Sequence, residues 1–221
     1  MRVIIIGGGS LEMETAIRLI REERSFVIAA DRGLDYCRLL HILPEVAVGD
    51  FDSVSAGTKE MLAMFEHQGV QIVRLNPVKD DTDMEAALTI AMNMGSDGII
   101  ILGGTGSRID HVLGNMSLLK EANEKECPAA IYDAKNRIRL ISNGQSLIIK
   151  KSEQYGKYVS LFPLFGACHG VSATGFYYPL DKADIGTGDG YYTLTISNEI
   201  TEDEAEISVD DGYLLVIEAR D

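Results

Sequence analysis

The first half of the chain alternates between short apolar runs and helical patterns, and this alternation limits its possible folds more than any other feature. Each run has the length of a buried strand. The runs are Val3–Ile6, Phe26–Ala30, Val46–Val48, Val70–Arg74, Ile99–Leu102 and Ala129–Tyr132. Because strands that alternate with helices form a parallel sheet covered on both faces, we predict a Rossmann-like α/β domain. Its ligands should bind at the carboxyl ends of the strands.

One of the helical patterns carries both a start signal and a stop signal. Its apolar residues, which share one helix face, are Met84, Ala87, Leu88, Ala91 and Met92. Thr82 and Glu85 have the spacing of a capping box, in which each side chain accepts a hydrogen bond from the other residue's backbone N–H. Gly95 suits the left-handed position that follows a helix. The pattern therefore predicts a helix that begins after Thr82 and ends before Gly95.

Helical periodicity disappears after about residue 133. The segments that remain are short and β-rich, namely Ile138–Ile141, Ser146–Lys150, Tyr158–Phe162, Tyr191–Ser197, Ala205–Val209 and Tyr213–Glu218. Turn residues such as Asn143-Gly144 separate them, and regularly spaced strands of this kind predict a β-sandwich. We therefore expect an α/β domain at residues 1–133 and an all-β sandwich domain at residues 134–221.

The charge balance excludes two classes of partner. The chain has 221 residues with 20 basic and 34 acidic side chains, a net charge of −14. Nucleic acids and anionic membranes bind basic surfaces, so we expect neither as a partner. No apolar run reaches the roughly 18 residues of a membrane helix, and the N-terminus does not resemble a signal peptide, so we expect a cytoplasmic protein. The 3 cysteines include no C-x-x-C pair, so they indicate neither a disulfide framework nor a zinc finger.

Acidic residues follow the run Val46–Val48 directly. Asp50 and Asp52 are two residues apart, so in an extended segment their carboxylates share one side. Two carboxylates at a strand end suit Mg²⁺, which leaves coordination positions for phosphate oxygens. The alternative is a solvated acidic turn in which Ser53 or Asp52 caps the next helix.

A second acidic group precedes the helix that begins after Thr82. Lys79 stands before Asp80, Asp81 and Asp83. Asp83 lies in the first helical turn, where the helix macrodipole favours a carboxylate even without a ligand. Acids packed this closely repel one another unless a cation joins them. Structural and metal-binding interpretations both remain open.

A glycine-rich turn follows the run Ile99–Leu102. The backbone N–H groups of Gly103–Ser107 suit an anion, although no Walker-type Gly-Lys-Ser/Thr follows. On the next helix we predict a buried stripe with a polar stripe beside it that lines a cleft. The buried stripe is Ile109, Val112, Leu113 and Met116, and the polar stripe is Arg108, His111 and Asn115. Arg108 could bind a phosphate through its planar guanidinium, and a tight turn with a surface arginine is the alternative.

The segment Gly7-Gly8-Gly9 after the first strand raises a dinucleotide-binding alternative. Asp31, at the end of the second strand, stands about where a ribose-binding acid would lie. Glu12 occupies the position of the motif's third glycine, so we do not expect a nicotinamide or flavin cofactor.

Together, these segments resemble the thiamine pyrophosphokinase family. Those that carry the resemblance are Asp31-Arg32-Gly33, Gly49-Asp50-Phe51-Asp52-Ser53, Asp80-Asp81-Thr82-Asp83, Gly103-Gly104-Thr105-Gly106-Ser107-Arg108-Ile109-Asp110-His111 and Ser197-Asn198-Glu199. They occur in the family's order and span nearly the whole chain. Arg32, where the family often has glycine, and Asp81, an extra acid at a variable position, depart from the pattern.

The resemblance implies a Mg²⁺-dependent enzyme that transfers pyrophosphate from ATP to the hydroxyl of thiamine, giving thiamine diphosphate and AMP. It also implies a catalytic α/β domain, a β-sandwich domain that binds thiamine, and a homodimer with active sites between the subunits. The competing class is a non-catalytic sensor of Mg-nucleotide whose β domain binds a partner protein.

The resemblance also assigns roles to individual residues. It implies that Asp50, Asp52 and Asp83 bind the metal and handle phosphate, with Asp80 as a further catalytic acid. The residues implied for ATP are Asp31, Lys79, Thr105, Arg108, Asp110, His111 and Asn115. Those implied for thiamine are Tyr178, Ser197 and Asn198.

Overall fold

The computed structural model describes residues 1–22, 25–76, 82–187 and 195–221. The chain divides into two compact units, Met1–Ala134 and Lys135–Asp221. Within the described residues, no helix is long and apolar enough to cross a membrane.

The first unit is a parallel sheet with intervening helices. Its elements are β1 (Arg2–Ile6), α1 (Met13–Glu22), β2 (Phe26–Ala30), α2 (Gly33–Leu40), β3 (Val46–Gly49), α3 (Ala56–His67), β4 (Gln71–Arg74), α4 (Asp83–Asn93), β5 (Gly98–Leu102), α5 (Ile109–Glu124) and β6 (Ala129–Tyr132). The strand order is β4-β3-β2-β1-β5-β6, and every neighbouring pair is parallel. The predicted α/β fold is confirmed. Because β1 lies between β2 and β5, the loops after β1 and β5 meet where the winding direction reverses, which is the usual ligand position in such folds.

Side chains that alternate along the strands build a core on each face of this sheet. Ile4 and Ile6 of β1 join a cluster with residues of α1, α2 and α3. Val3 and Ile5 point to the opposite face and are also fully buried. On that face, α4 contacts β1, β2 and β3, and α5 contacts β6. Burial on both faces explains why β1, β2, β3 and β5 are continuous apolar runs in the sequence, whereas the edge strand β4 is only partly buried.

Helix α4 has the ends that the sequence predicts. The N–H of Thr82 donates to Glu85 Oε2 at 2.5 Å and the N–H of Glu85 donates to Thr82 Oγ1 at 3.2 Å, so the capping box is formed. Gly95 is left-handed with a φ of 67°, and its N–H donates to the carbonyl oxygen of Met92 at 3.0 Å. Both signals involve residues that are close in sequence, which is why they could be read without the fold.

The buried stripe predicted for α5 is wrong at its start. Ile109 and Leu113 are 64% and 60% exposed, whereas Met116 is buried as predicted. Val112 is partly buried, and the fully buried part of the helix begins at Asn115 and continues with Leu118, Leu119 and Ala122. The first turns of α5 therefore extend past its buried contacts, and helical spacing alone does not reveal where packing begins.

The second unit is antiparallel throughout its described strands. These are β7 (Asn136–Ser142), β8 (Ser146–Lys150), β9 (Tyr158–Thr174), β10 (Leu180–Ile185), β11 (Asn198–Glu199), β12 (Glu204–Ser208) and β13 (Asp211–Ala219). The order is β7-β13-β9-β12-β8, with β10 and β11 also paired to β9. The first part of β9 pairs with β13 and the second part with β12 and β10. Val159, from the first part, and Val171, from the second, belong to one core, as expected of the predicted β-sandwich fold, which is confirmed.

Three described strands of this unit differ from the prediction. Strand β9 continues to Thr174 instead of ending at Phe162, and the sequence predicts neither β10 nor the short β11. Pro163 and Gly166 interrupt the β-rich pattern within β9, which hides its second half in the sequence. Most of the predicted strand Tyr191–Ser197 lies outside the described residues, and the described part, 195–197, is not a strand.

Candidate active site

Three carboxylates converge at the carboxyl edge of the parallel sheet. Asp31 follows β2, Asp50 follows β3, and Asp83 is the first residue of α4. One carboxylate oxygen from each lies within 4.8 Å of the other two. The strand order explains this convergence, because β2, β3 and β4 are successive neighbours whose ends meet at one edge. Carboxylate oxygens at this spacing can hold a divalent cation such as Mg²⁺.

Asp31 gives the clearest indication that a cation fits among these acids. Its Oδ2 accepts a hydrogen bond from the hydroxyl of Ser53, but its Oδ1 is buried with no hydrogen-bond partner among the described residues. Burial raises the pKa of Asp31, and the nearby charges of Asp83 and Asp50 raise it further, although the bond from Ser53 opposes them. A cation at this point would satisfy the oxygen and neutralise the repulsion.

Asp52 is not part of this group of three carboxylates. Its side chain is exposed, its N–H donates to Asp50 Oδ1 at 2.9 Å, and its carbonyl oxygen accepts from Lys59 Nζ at 2.8 Å. The backbone of Asp52 therefore shapes the loop that presents Asp50. Lys79 and Asp80, which the sequence also suggested, lie outside the described residues.

The two glycine-rich loops of the first unit lie against each other. The N–H of Gly9 donates to the carbonyl oxygen of Gly103 at 2.9 Å, and the N–H of Ser10 donates to that of Thr105 at 2.6 Å. A Cβ at Gly9 would lie 2.2 Å from the Thr105 oxygen, so this contact requires glycine. The close packing of the two loops therefore explains Gly9, one of the glycines that suggested a dinucleotide-binding motif.

Two of the residues that the resemblance implies for ATP, Asn115 and Thr105, stabilise the glycine-rich turn through hydrogen bonds. Asn115 is buried, and its Nδ2 donates to the carbonyl oxygen of Gly104 at 2.7 Å. Thr105 Oγ1 donates to Asp133 Oδ2 at 2.9 Å. In the polar stripe predicted for α5, Asn115 therefore contacts the loop backbone, which the spacing did not reveal.

Arg108 stands at the open side of the same turn. It occupies the N-cap position of α5, and its side chain is 70% exposed. Its Nε and Nη2 donate to the two carboxylate oxygens of Asp110 at 3.2 and 2.5 Å. These hydrogen bonds lower the pKa of Asp110 and raise that of Arg108. His111 is exposed beside them, so Arg108, Asp110 and His111 are all accessible to a ligand.

The turn at Arg32 accommodates the departure from the family pattern. Asp31 is left-handed with a φ of 45°, but Arg32 has a φ of −58°, an ordinary helical value that needs no glycine. A Cβ at Gly8 would lie 2.7 Å from the Cβ of Arg32, so the glycine opposite makes room for the arginine.

In the second unit, Asn198 links the predicted thiamine residues. Its Nδ2 donates to the carbonyl oxygen of Tyr178 at 2.7 Å, and its Oδ1 accepts from the N–H of Tyr178 at 3.1 Å. Tyr177 and Tyr178 are 65% and 63% exposed, and their rings pack edge to face at 4.8 Å. Ser197 is left-handed with a φ of 58°. The amide of Asn198 thus supports an exposed aromatic pair.

Tyr178 and Asn198 also line a cleft within this unit. The enclosed space in this cleft is only large enough for about one water molecule. The other lining residues are Val159, Leu161, Ala173, Phe176, Leu180 and Thr195. A larger ligand would therefore contact the exposed tyrosines at the edge of the cleft rather than fill it.

Comparison with known proteins agrees with this geometry. The family model described as thiamin pyrophosphokinase, catalytic domain, matches residues 17–131, and the model described as thiamin pyrophosphokinase, vitamin B1 binding domain, matches residues 145–214. The chain belongs to the thiamine pyrophosphokinase family. The thiamine pyrophosphokinase of Bacillus subtilis is 31% identical over 98% of this chain and 98% of its own. The family and the enzyme class expected from the sequence, a thiamine diphosphokinase, are thereby confirmed.

Solved structures of the thiamine pyrophosphokinase family have the same fold. The Bacillus subtilis enzyme superposes with a TM-score of 0.87 at 29% identity, covering 100% of both chains. The enzyme from Geobacillus thermodenitrificans superposes with a TM-score of 0.84 at 28% identity, covering 100% of this chain and 98% of that one.

The sequence left the positions of several site residues open. The resemblance assigns Asp31 to the nucleotide, although its carboxylate joins Asp50 and Asp83. The sequence offers Ser53 as a helix cap and as part of a family motif, whereas its hydroxyl donates to Asp31. Acidic residues at the ends of consecutive strands were the available signal, but using it required the order of the strands in the sheet.

Proposed function

We propose that this thiamine pyrophosphokinase family member transfers pyrophosphate from ATP to the hydroxyl of thiamine in a Mg²⁺-dependent reaction. One observation carries the proposal. The group Asp31, Asp50 and Asp83 lies at the edge of the sheet that also carries the glycine-rich turn. A cation site beside an anion-binding turn suits a polyphosphate substrate.

The first unit supplies the nucleotide side of the proposed site. The turn Gly103–Ser107 offers backbone N–H groups to phosphate oxygens, and Arg108 is exposed next to it. Asp110 accepts hydrogen bonds from Nε and Nη2 of Arg108, which leaves the other N–H groups of the guanidinium for a phosphate. Asn115 and Thr105 keep the turn in shape through their bonds to Gly104 and Asp133.

The acid group would hold the cation through Asp31, Asp50 and Asp83. A bound Mg²⁺ would offset the negative charge of the polyphosphate and allow it to approach these acids. Asp52, which the resemblance assigns to the metal, is exposed on the loop that carries Asp50 and lies outside this group. The proposed catalytic role of Asp80 rests on the sequence resemblance alone. His111 and Lys79 complete the proposed nucleotide set.

In the reaction, the thiamine hydroxyl oxygen forms a bond to the β-phosphorus of ATP and gives its proton to an acid of the Asp80–Asp83 cluster. The bond between that phosphorus and the oxygen that bridges it to the α-phosphorus breaks, and AMP leaves with that oxygen. Positioning and charge neutralisation dominate transfers of this type, so side chains held before the substrates bind contribute most.

The second unit supplies the thiamine side. It contains the region matched by the vitamin B1 binding family model, and it presents the exposed pair Tyr177 and Tyr178 beside a small cleft. Aromatic faces attract quaternary nitrogen cations such as the thiazolium ring. We assign Tyr178, Ser197 and Asn198 to this side, with Asn198 acting on the backbone of Tyr178.

We further propose a cytoplasmic homodimer in which the acids of one subunit act with the Ser197-Asn198 segment of the other. The sequence resemblance supports this arrangement, as does the location of the acids and of Ser197-Asn198 in separate units. Residues 1–133 would form the catalytic ATP-binding domain and 134–221 the thiamine-binding and dimerisation domain.

A single incubation tests the reaction. Purified protein with ATP, Mg²⁺ and thiamine should form thiamine diphosphate and AMP in equal amounts, measured by mass spectrometry. Asp50→Asn should lose product formation steeply, whereas Asp181→Asn, a matched change at an exposed acid of the second unit, should not. Nucleotide binding without any product would reject the enzyme and favour the sensor.

A further inference from the structure

Helix α2 lies beside the loops of the candidate site and begins close in sequence to Asp31, one of the three clustered acids. Its first residue, Gly33, comes two positions after Asp31. A Cβ at Gly33 would lie 1.7 Å from the carbonyl oxygen of Ile6, so only glycine allows this approach. The first turn of α2 is therefore packed tightly against the carboxyl end of β1. The next two polar side chains of the helix, Asp35 and Tyr36, contact two different loops.

Tyr36 reaches the glycine-rich turn through the loop that follows β1. Its hydroxyl donates to the carbonyl oxygen of Gly9 at 2.7 Å. The N–H of Gly9 donates to the carbonyl oxygen of Gly103, and the N–H of Ser10 donates to that of Thr105. Tyr36 thus fixes the segment against which the backbone of the glycine-rich turn rests.

Asp35 holds the other loop at the point where it enters α3. Its carboxylate accepts from the N–H of Ser55 at 3.0 Å, from the Ser55 hydroxyl at 2.6 Å, and from the hydroxyl of Thr58. Burial disfavours the charge, but these hydrogen bonds outweigh it and hold the pKa of Asp35 below its usual range. Thr58 is fully buried, and Ser55 ends the loop that carries Asp50.

We propose that Asp35 and Tyr36 are positioning residues that act through different loops. Tyr36 sets the glycine-rich turn for the nucleotide, and Asp35 sets the loop that presents Asp50 to the cation. The inference rests on the proposed function. Since each side chain acts through its own loop, each should affect one ligand and spare the other.

The first test removes one hydroxyl with Tyr36→Phe. Calorimetry with α,β-methylene-ATP, which cannot react, should give about a three- to tenfold weaker affinity at saturating Mg²⁺, the range expected for the net loss of one hydrogen bond. The KM for ATP should rise accordingly, while kcat and the KM for thiamine stay constant. Binding of Mn²⁺, followed by the loss of its free-ion paramagnetic resonance signal, should not change. Mn²⁺ is a suitable probe because it prefers the same oxygen ligands as Mg²⁺.

The second test uses Asp35→Asn, which keeps the shape of the side chain but removes the charge that accepts these hydrogen bonds. Here Mn²⁺ binding should weaken by about three- to tenfold. The affinity for α,β-methylene-ATP at saturating metal should stay at the wild-type value. Tyr36→Phe should therefore weaken only nucleotide binding, and Asp35→Asn should weaken only Mn²⁺ binding.

Val70→Ala provides a control for lost stability. Val70 is buried in the core that α2 also joins. It precedes β4 at the amino end of the sheet, away from the loops that Asp35 and Tyr36 contact. It should leave both affinities unchanged. The proposal is overturned if Tyr36→Phe keeps full nucleotide affinity, if Asp35→Asn keeps full Mn²⁺ affinity, or if both variants weaken both ligands alike. A wild-type protein that binds both ligands but makes no thiamine diphosphate would reject the proposed function, and the binding tests would still decide the positioning roles.

Discussion

Replacing Asp31 with asparagine should make the metal-free protein more stable while it weakens the site. The carboxylate oxygens of Asp31, Asp50 and Asp83 lie within 4.8 Å of one another. At that distance two unit charges repel by about 1 kcal/mol at the dielectric constant of water and by about 3 kcal/mol at an effective value near 20. Asp31→Asn removes two such repulsions and keeps an oxygen that can accept from Ser53. Solvent screens this half-buried group, so we expect a gain of about 1–3 kcal/mol in the free energy of unfolding.

The assay is a urea titration in EDTA at neutral pH. The chain has 9 tyrosines and no tryptophan, so tyrosine fluorescence and circular dichroism are the natural probes. Asp52→Asn is the matched control, because Asp52 is exposed and outside the acid group. Its effect should be much smaller. Adding Mg²⁺ should stabilise the wild type more than Asp31→Asn, since the variant lacks one of the three carboxylates.

The pH dependence has a definite sign. The pKa of Asp31 is raised above its ordinary value of 3.8 in the folded chain, mainly by burial. The folded chain therefore binds the proton more readily than the unfolded chain, and ionisation of Asp31 costs stability at neutral pH. The advantage of Asp31→Asn should be complete at neutral pH, shrink as the pH falls through the raised value, and vanish below 3.8. A variant that is no more stable in EDTA, or whose advantage grows on acidification, would refute the reasoning.

Three further outcomes are expected. Glu218 is fully buried and accepts hydrogen bonds from Arg137 and Arg139 at 2.6 Å. Glu218→Gln should therefore lower the free energy of unfolding, measured by urea titration, by about 3–5 kcal/mol. A loss below about 1 kcal/mol would contradict this expectation. Arg108→Ala should weaken calorimetric binding of α,β-methylene-ATP by about tenfold and leave thiamine binding intact, because a charged bidentate contact is lost. Unchanged nucleotide affinity would transfer that role to another cation, with Lys79 first. Asp50→Asn and Asn198→Ala should each be inactive alone. If each site is shared across a two-fold dimer, subunits of the two variants that are refolded together should recover about a quarter of wild-type activity. About half of the dimers are then mixed, and each mixed dimer has one intact site out of two. No recovery, with mixed dimers confirmed by native mass spectrometry, would reject the shared site.

Local structure followed from patterns that involve residues close in sequence. The capping box of Thr82 and Glu85 and the left-handed Gly95 delimit α4 because hydrogen bonds at helix ends join near neighbours. The apolar runs of β1, β2, β3 and β5 are predictable from the sequence because burial on both faces of a parallel sheet requires continuous apolar sequence. In the second unit the same approach missed the second half of β9, where Pro163 and Gly166 obscure the alternation. It also missed β10, in which Asp181, Lys182 and Asp184 break the apolar pattern.

The sequence by itself determined the two fold classes and the family, because periodicity and ordered motifs depend only on the order of residues along the chain. Which side chains meet was decided by the tertiary structure. Asp31 joins Asp50 and Asp83, and Asp52 does not, because strand neighbours and loop backbones set the direction of each carboxylate. The hydrogen bond from Tyr36 to Gly9 joins residues 27 positions apart, and no local pattern encodes it. Such contacts form only when the sheet has brought the loops at its carboxyl edge together.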